Sequence, residues 1–130
     1  MGYVAQPTGE PVVLCASGPG ADATHSRYHY SPDQEYDENV VAALYEETGR
    51  RITYLGDWHT HPAPVRHLSY RDRRTLKRIA KCPTARARNP LMLILSFNRE
   101  WTATVWRGSL VVSWLRFTTL KVDEIMVTQF

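Results

Sequence analysis

Cysteine is scarce in this sequence. Cys15 and Cys82 are the two among 130 residues, and neither belongs to a C-x-x-C pattern. Their separation argues against a disulfide framework and a thiolate zinc site, so we expect ordinary thiols. We expect such thiols to be buried, with Cys82, near a helix end, as the exception. There is also no apolar run long enough to span a bilayer and no charged-then-apolar leader. We therefore expect a cytoplasmic protein with no membrane contact and no secretion signal.

The composition predicts one domain, residues 1–130. With 43% apolar residues and no repeat or low-complexity segment, the chain is large enough to bury a core of its own. Its formal net charge is +3, but residues 71–88 hold eight of the sixteen Lys and Arg against one acid, Asp72. One interpretation of this segment is a solvated face whose aliphatic stems cover the core. The alternatives are an acidic protein surface as partner or, less favoured because no aromatic residue interleaves, a nucleic acid or other anion.

Two histidines follow an apolar stretch in the sequence G-D-W-H-T-H-P at positions 56–62. The preceding residues 52–55 favour a strand, in which residues i and i+2 point to the same face. His59 and His61 therefore emerge side by side as a two-ligand clamp, while Trp58 and Thr60 point the other way, into the core. Pro62 and Pro64 are expected to end the strand, because proline lacks a backbone donor.

A second pattern, S-x-x-D, opens the next element. Ser69 and Asp72 precede Leu76 and Ile79, which predicts an amphipathic helix from Ser69 to Lys81 with Ser69 as N-cap and Asp72 in the first turn. Capping alone would explain both polar residues. Taken with the two imidazoles, however, the Asp72 carboxylate completes a three-ligand zinc set that leaves the fourth position for water, as catalytic sites do.

The spacing H-x-H-P, then S-x-x-D with the aspartate eleven places after the second histidine, resembles the signature of the JAMM (MPN-plus, or JAB-domain) zinc metalloproteases. Segments 16–20, 31–33 and 54–58 are similar to the small stand-alone prokaryotic branch. The resemblance implies Zn²⁺ on His59, His61 and Asp72, with Ser69 as the catalytic residue that helps to hold the tetrahedral intermediate. It also implies a peptidase or isopeptidase that cleaves after the C-terminal tail of a ubiquitin-like or sulfur-carrier-like protein.

The family's general base is a glutamate in an E-[ST]-G-G-type segment upstream of a strand that ends in glycine. Residues 1–4 look like the end of that strand, so we expect the glutamate to precede Met1. Neither Glu10, in a turn, nor Asp57, on the strand face of His59, replaces it by pattern. Without a carboxylate to take the proton from the attacking water, general-base catalysis worth roughly 10²–10⁴-fold in rate is lost. The alternative to an active enzyme is therefore a non-catalytic metal-binding interaction module.

The fold class predicted is α/β, a single domain with a mixed β-sheet flanked by two main helices. The resemblance implies a JAB/MPN-like fold with cytidine-deaminase-like layering. The other elements predicted in the first half are a hairpin of strands 1–5 and 11–17, a strand at 25–30 that puts His25 and His29 on one face, and a core helix with Ser31 as N-cap and Gly49 as C-cap. In the second half we predict a buried mid-sheet strand at 91–97 and a hairpin of strands 101–106 and 110–117 around residues 107–109. A final strand or short helix follows. We do not interpret the His25–His29 pair as a metal site.

Overall fold

The computed structural model describes residues 1–26, 29–61, 63–114 and 116–128. It divides into two compact units, Met1–Leu55 and Gly56–Phe130. The elements, in chain order, are β1 (Gly2–Val4), β2 (Pro11–Val13), β3 (Thr24–His25), β4 (Tyr30–Ser31), α1 (Gln34–Glu47), β5 (Gly56–His61), α2 (Tyr70–Lys81), β6 (Leu91–Asn98), β7 (Glu100–Val112) and β8 (Thr118–Ile125). The predicted fold class is confirmed, since a mixed sheet and two main helices are present in the part of the chain described.

The first unit carries two short hairpins. β1 and β2 pair antiparallel, which confirms the first predicted hairpin with shorter strands. The predicted strand at 25–30 is wrong, because the chain reverses there and β3 pairs antiparallel with β4. His25 therefore lies on one strand while His29 lies in the turn, where its carbonyl accepts from Ser26 N–H at 2.7 Å. Tyr28, which the predicted strand also contained, lies outside the described residues.

Helix α1 begins later than predicted, with Asp33 and not Ser31 as its N-cap. Ser31 is taken up by strand pairing with Thr24, and the Asp33 carboxylate accepts from Tyr36 N–H at 3.0 Å. The C-cap is Thr48, one residue before the predicted one. The left-handed glycine expected at this helix end is present, because Gly49 follows with φ +61 and donates to the carbonyl of Glu46. The prediction of a core helix is wrong. The apolar stripe of α1 is half-buried at most, and its described residues include none that are fully buried.

The second unit is built on a four-stranded sheet in the order β5-β6-β7-β8. β5 runs parallel to β6, and the other pairs are antiparallel. The predicted mid-sheet strand is confirmed as β6, and α2 is the crossover between the parallel strands, as a parallel pair requires. The core lies between α2 and the sheet. Its central cluster of buried residues is Leu68, Leu76, Met92 and Ile94, with Trp106, Leu120 and Val122 packed against it.

The predicted hairpin around residues 107–109 is wrong. β7 runs without a break through these positions, and its antiparallel partner on this side is the later strand β8. Leu115, part of the predicted second strand, lies outside the described residues. Gly108 serves packing instead of a turn. A Cβ at this residue would make a tight contact of 3.2 Å with Leu120 Cδ1 and an ordinary contact of 3.5 Å with Leu76 Cβ, so Gly108 lies in the packing between the sheet and α2.

Strand β5 starts at Gly56, later than the apolar residues before it suggest. Thr53 instead forms an isolated bridge with Gly2. Gly56 has φ +155, and a Cβ there would lie 1.9 Å from the carbonyl oxygen of Leu91, its partner on β6. This position therefore demands glycine for both conformation and space. The parallel strand that carries the histidines begins at this close approach.

Residues Trp58 and Thr60 are exposed, so their predicted place in the core is wrong. They lie on the face of β5 opposite to His59 and His61, and β5 is the outer strand of its sheet. β5 ends at His61; Pro62, expected to stop it, lies outside the described residues. In the described ranges, none of the helices has the length and apolar character that crossing a membrane requires.

Candidate metal centre

The two histidines of β5 lie on the face of the sheet that α2 covers. His59 is in register with Ile94 of β6, and His61 with Ser96. Paired residues on neighbouring strands share a face, and both Ile94 and Ser96 are buried, at 0% and 2% exposure. The imidazoles therefore extend the buried face of the sheet to its edge, where the N-terminus of α2 begins. The side-by-side geometry predicted from the H-x-H spacing is confirmed.

The helix start brings a carboxylate to the histidine pair. His59 Nε2 lies 2.9 Å from His61 Nε2, and Asp72 places Oδ1 3.5 Å from His59 Nε2 and Oδ2 3.9 Å from His61 Nε2. The side chains are 31%, 15% and 13% exposed for His59, His61 and Asp72, respectively. The predicted ligand residues thus converge in a half-buried group.

Asp72 takes part in helix capping at the same time. Ser69 N–H donates to Asp72 Oδ2 at 2.7 Å, and Asp72 N–H donates to Ser69 Oγ at 3.2 Å, which together form a capping box. The positive end of the helix dipole favours the ionised carboxylate. The capping interpretation and the ligand interpretation are therefore compatible, because Oδ1 faces His59 while Oδ2 receives the backbone donor.

The loop after β5 fixes the orientation of His61. Its Nδ1 lies 2.8 Å from the carbonyl oxygen of Val65. A carbonyl can only accept, so Nδ1 carries the proton and, in the neutral ring, Nε2 keeps a lone pair directed at the group. The same loop is tied to the sheet by Trp106, whose indole N–H donates to the carbonyl oxygen of Arg66 at 2.9 Å. Neither support has a sequence signal, since one partner in each is a backbone carbonyl.

The electrostatic environment favours a neutral His59. Burial lowers the pKa of this imidazole below its ordinary value of 6.5, and the positive charge of a protonated His61 would lower it further. The negative charges of Asp72 and, to a smaller extent, Asp57 oppose this pKa shift. A neutral imidazole is the form that binds a metal ion.

The donor set fits a divalent cation. Zinc bonds of about 2.0–2.2 Å in a tetrahedral site imply ligand atoms roughly 3.3–3.6 Å apart. The 3.5 Å between His59 Nε2 and Asp72 Oδ1 lies within that range, and the 2.9 Å between the two Nε2 atoms is shorter. The 3.9 Å from His61 Nε2 is longer and is measured to the other carboxylate oxygen, Oδ2. Two imidazole nitrogens and a carboxylate oxygen form a ligand set that leaves room for water or substrate. His25, His29 and His67 do not belong to this group.

Comparison with known proteins agrees with this geometry. The family model described as prokaryotic homologs of the JAB domain matches residues 3–108. The chain is 35% identical over 113 residues to "Probable metalloprotease y4qB" of Sinorhizobium fredii, covering 85% of this chain and 69% of that protein. It is 33% identical over 61 residues to "CD-NTase/cGAS isopeptidase" of Escherichia coli, covering 47% of this chain and 39% of the relative. Because the family match spans most of its length, the chain belongs to the prokaryotic homologues of the JAB domain.

Proposed function

We propose that this protein is a zinc-dependent peptidase or isopeptidase that hydrolyses the bond after the C-terminal tail of a ubiquitin-like or sulfur-carrier-like protein. The observation that carries the proposal is the convergence of His59 Nε2, His61 Nε2 and the Asp72 carboxylate within 4.8 Å of one another. The names of the two relatives, a probable metalloprotease and an isopeptidase, support the reaction class.

The three ligand residues would hold the cation. When bound, it would polarise the scissile carbonyl and make an associated water molecule more acidic. His61 keeps its ligand nitrogen directed inward through its hydrogen bond to Val65. Asp72 is held by the capping box, so neither ligand has to be ordered when the cation arrives.

Ser69 is the proposed catalytic residue beside these ligands. Its hydroxyl oxygen accepts from Asp72 N–H, which leaves its own O–H free to donate to an oxyanion on the substrate. In the family that the sequence resembles, a glutamate is the general base; a carboxylate in that role would accept the proton of the attacking water and pass it to the leaving amine.

Strand β5 offers a place for an extended substrate tail. It is the outer strand of its sheet, so pairing with β6 uses only one of its two rows of backbone groups. An extended peptide can add to such an edge through main-chain hydrogen bonds. A tail paired with β5 would run past the residues that carry the ligands, which suits cleavage at the end of a flexible C-terminus.

The first experiment is metal analysis of the purified protein after equilibration with zinc and desalting. We expect about one zinc per chain, lost in His59→Ala and in Asp72→Ala. The matched control is His67→Ala, which removes a nearby imidazole outside the ligand group and is expected to retain the metal. Retention of full zinc content by Asp72→Ala would contradict the ligand assignment.

The second experiment is cleavage. Fusions of ubiquitin-like and sulfur-carrier-like proteins through their C-terminal tails to a reporter are incubated with the metal-loaded protein, with Ser69→Ala as a variant that keeps all three ligands. The assay uses a chain extended upstream by a segment that supplies the family's glutamate. In that form we expect cleavage after the tail, slowed in Ser69→Ala by about 10²–10³ because the oxyanion loses its hydroxyl donor. Stoichiometric zinc without cleavage of any fusion would instead favour the non-catalytic metal-binding module.

A further inference from the structure

The solvent-facing side of α2 is strongly basic. Its six cationic residues lie away from the core-facing positions Leu76 and Ile79, and five of the six are exposed, with Lys77 half-buried. We call these residues the basic face: Arg71, Arg73, Arg74, Lys77, Arg78 and Lys81. They extend along the whole helix, about 18 Å at 1.5 Å per residue. The first of them, Arg71, is the sequence neighbour of Asp72, so the basic face begins at the candidate metal centre.

The protein does not neutralise this charge internally. Among the residues that the structure describes, the salt bridges involve none of the basic face. The one acid of α2, Asp72, points to the histidines and caps the helix. Like charges three and four residues apart, such as those of Arg74 and Arg78, repel each other and destabilise a helix. The helix therefore carries a repulsion that an anionic partner would relieve.

A concave surface continues the basic face at the C-terminal end of α2. It is a cavity of about 450 Å³ lined by seven residues: Ala80, Lys81, Cys82, Pro83, Arg86, Ala87 and Arg88. Three of the seven are cations and none is an acid. The helix surface and this cavity together form one cationic track.

We propose that the basic face of α2 docks an acidic segment of the protein whose chain is cleaved, with one carboxylate of that segment entering the cavity beside Lys81. This inference rests on the proposed function, because a peptidase requires a polypeptide to lie at the metal centre where the track begins. Docking along α2 would hold the substrate protein next to that centre without using the ligands themselves. Docking along α2 would strengthen substrate binding and raise the association rate, since charges at the edge of an interface act mainly on these two quantities.

A polypeptide suits this track better than a nucleic acid. The one aromatic residue of α2 is the exposed Tyr70 at its first position, so no aromatic residue interleaves with the cations along the helix on which successive bases could stack. The formal net charge of +3 is also small for a protein that binds by neutralising phosphates. The partner is therefore expected to present Glu and Asp side chains over a length comparable to the helix.

The experiment measures binding directly, so it does not depend on cleavage. The probe is a fluorescein-labelled twelve-residue peptide of alternating Glu and Ser, followed by fluorescence anisotropy at low and moderate salt. The same peptide with Gln for Glu and a single-stranded oligonucleotide of equal charge serve as comparison ligands. The variant is Arg74→Glu with Arg78→Glu. The matched control is Arg99→Glu with Arg116→Glu, two exposed residues outside α2, which changes the net charge by the same amount.

We expect the Glu/Ser peptide to bind and the Gln/Ser peptide not to bind. The α2 variant should weaken binding at least about fivefold, while the control variant leaves it unchanged. His59→Ala should bind the peptide normally, so a failure of the proposed peptidase function does not affect this measurement. Equal loss in both double variants, or binding of the oligonucleotide in preference to the acidic peptide, would overturn the proposal. Circular dichroism of all variants verifies that α2 is intact.

Discussion

Gly56→Ala tests whether the metal-bearing strand depends on its close start against β6. Two costs follow from the structure. Alanine is strained at φ +155, which costs about 1–3 kcal/mol. Its Cβ would also lie 1.9 Å from Leu91 O, so the first rung of the β5–β6 pairing must open, at about 1 kcal/mol for a lost backbone hydrogen bond. We expect the free energy of unfolding to fall by about 3 kcal/mol.

The assay is urea unfolding of the metal-free protein, with two glycines as matched controls. Gly18→Ala has nothing within 4 Å of the added Cβ and no unusual φ, so it should lie within about 0.5 kcal/mol of the wild type. Gly9→Ala meets φ +73 in open space and should show conformational strain alone, about 1 kcal/mol. If Gly56→Ala is no more destabilising than Gly9→Ala, the steric argument is refuted. Zinc affinity should fall with Gly56→Ala as well, because His59 and His61 follow on the same strand.

Three further predictions concern the metal centre. Asp72→Asn should lose zinc but keep the helix cap, because its amide oxygen can still accept from Ser69 N–H. Asp72→Ala should lose zinc and also lower the free energy of unfolding by about 1 kcal/mol, because the cap is removed. Trp106→Phe should weaken zinc binding about threefold or more in a chelator competition, because the loop that orients His61 loses its hydrogen bond to the sheet. The control is Trp101→Phe, which changes an exposed tryptophan. Equal zinc affinities of the two variants would contradict this role of Trp106. Because the pKa of His59 in the folded protein lies below 6.5, protonation of this residue favours the unfolded chain. The free energy of unfolding of the metal-free protein should therefore be full above pH 6.5 and decline as the pH falls toward the folded pKa. In His59→Gln this decline should be weaker.

The convergence of the candidate ligands could be predicted because the parts of the site are local. His59 and His61 follow the period of a strand, and the S-x-x-D pattern is a known start of a helix, so each element could be placed without knowledge of the rest. Because α2 is the crossover that follows β5, the two patterns had to meet at the same end of the sheet. The supports of the site were not predictable. Trp106 and Arg66 are forty positions apart, and the acceptor is a backbone carbonyl that any residue could supply.

The errors in the predicted fold have a common physical cause, which is that local pattern was given more weight than tertiary packing. Gly108 suggested a turn, but it is a contact point where α2 approaches β7. Ser31 suggested a helix cap, but it pairs with Thr24, and the carboxylate of Asp33 takes its place. Trp58 was expected in the core because it points to the strand face opposite to the histidines, yet it lies on an outer strand and is 40% exposed. In each case the deciding partner is distant in sequence or absent from the local pattern.

The short span of the ligand set limits what a metal ion can add to the thermodynamics of this fold. His59 and Asp72 are separated by 13 positions (59 to 72), so a cation that joins them closes only a small loop. In a chain-entropy description, a cross-link of this size removes about 3 kcal/mol of unfolded-state freedom, and the cost of loop closure grows only with the logarithm of length. The hydrophobic cluster around Leu76 and Ile94 contains none of the ligands. A chelator should therefore leave both the sheet and the junction of β5 and α2 folded, because the capping box and the hydrogen bond to Val65 order the ligands without a cation. A bound ion would then serve the chemistry of the site and not the stability of the fold.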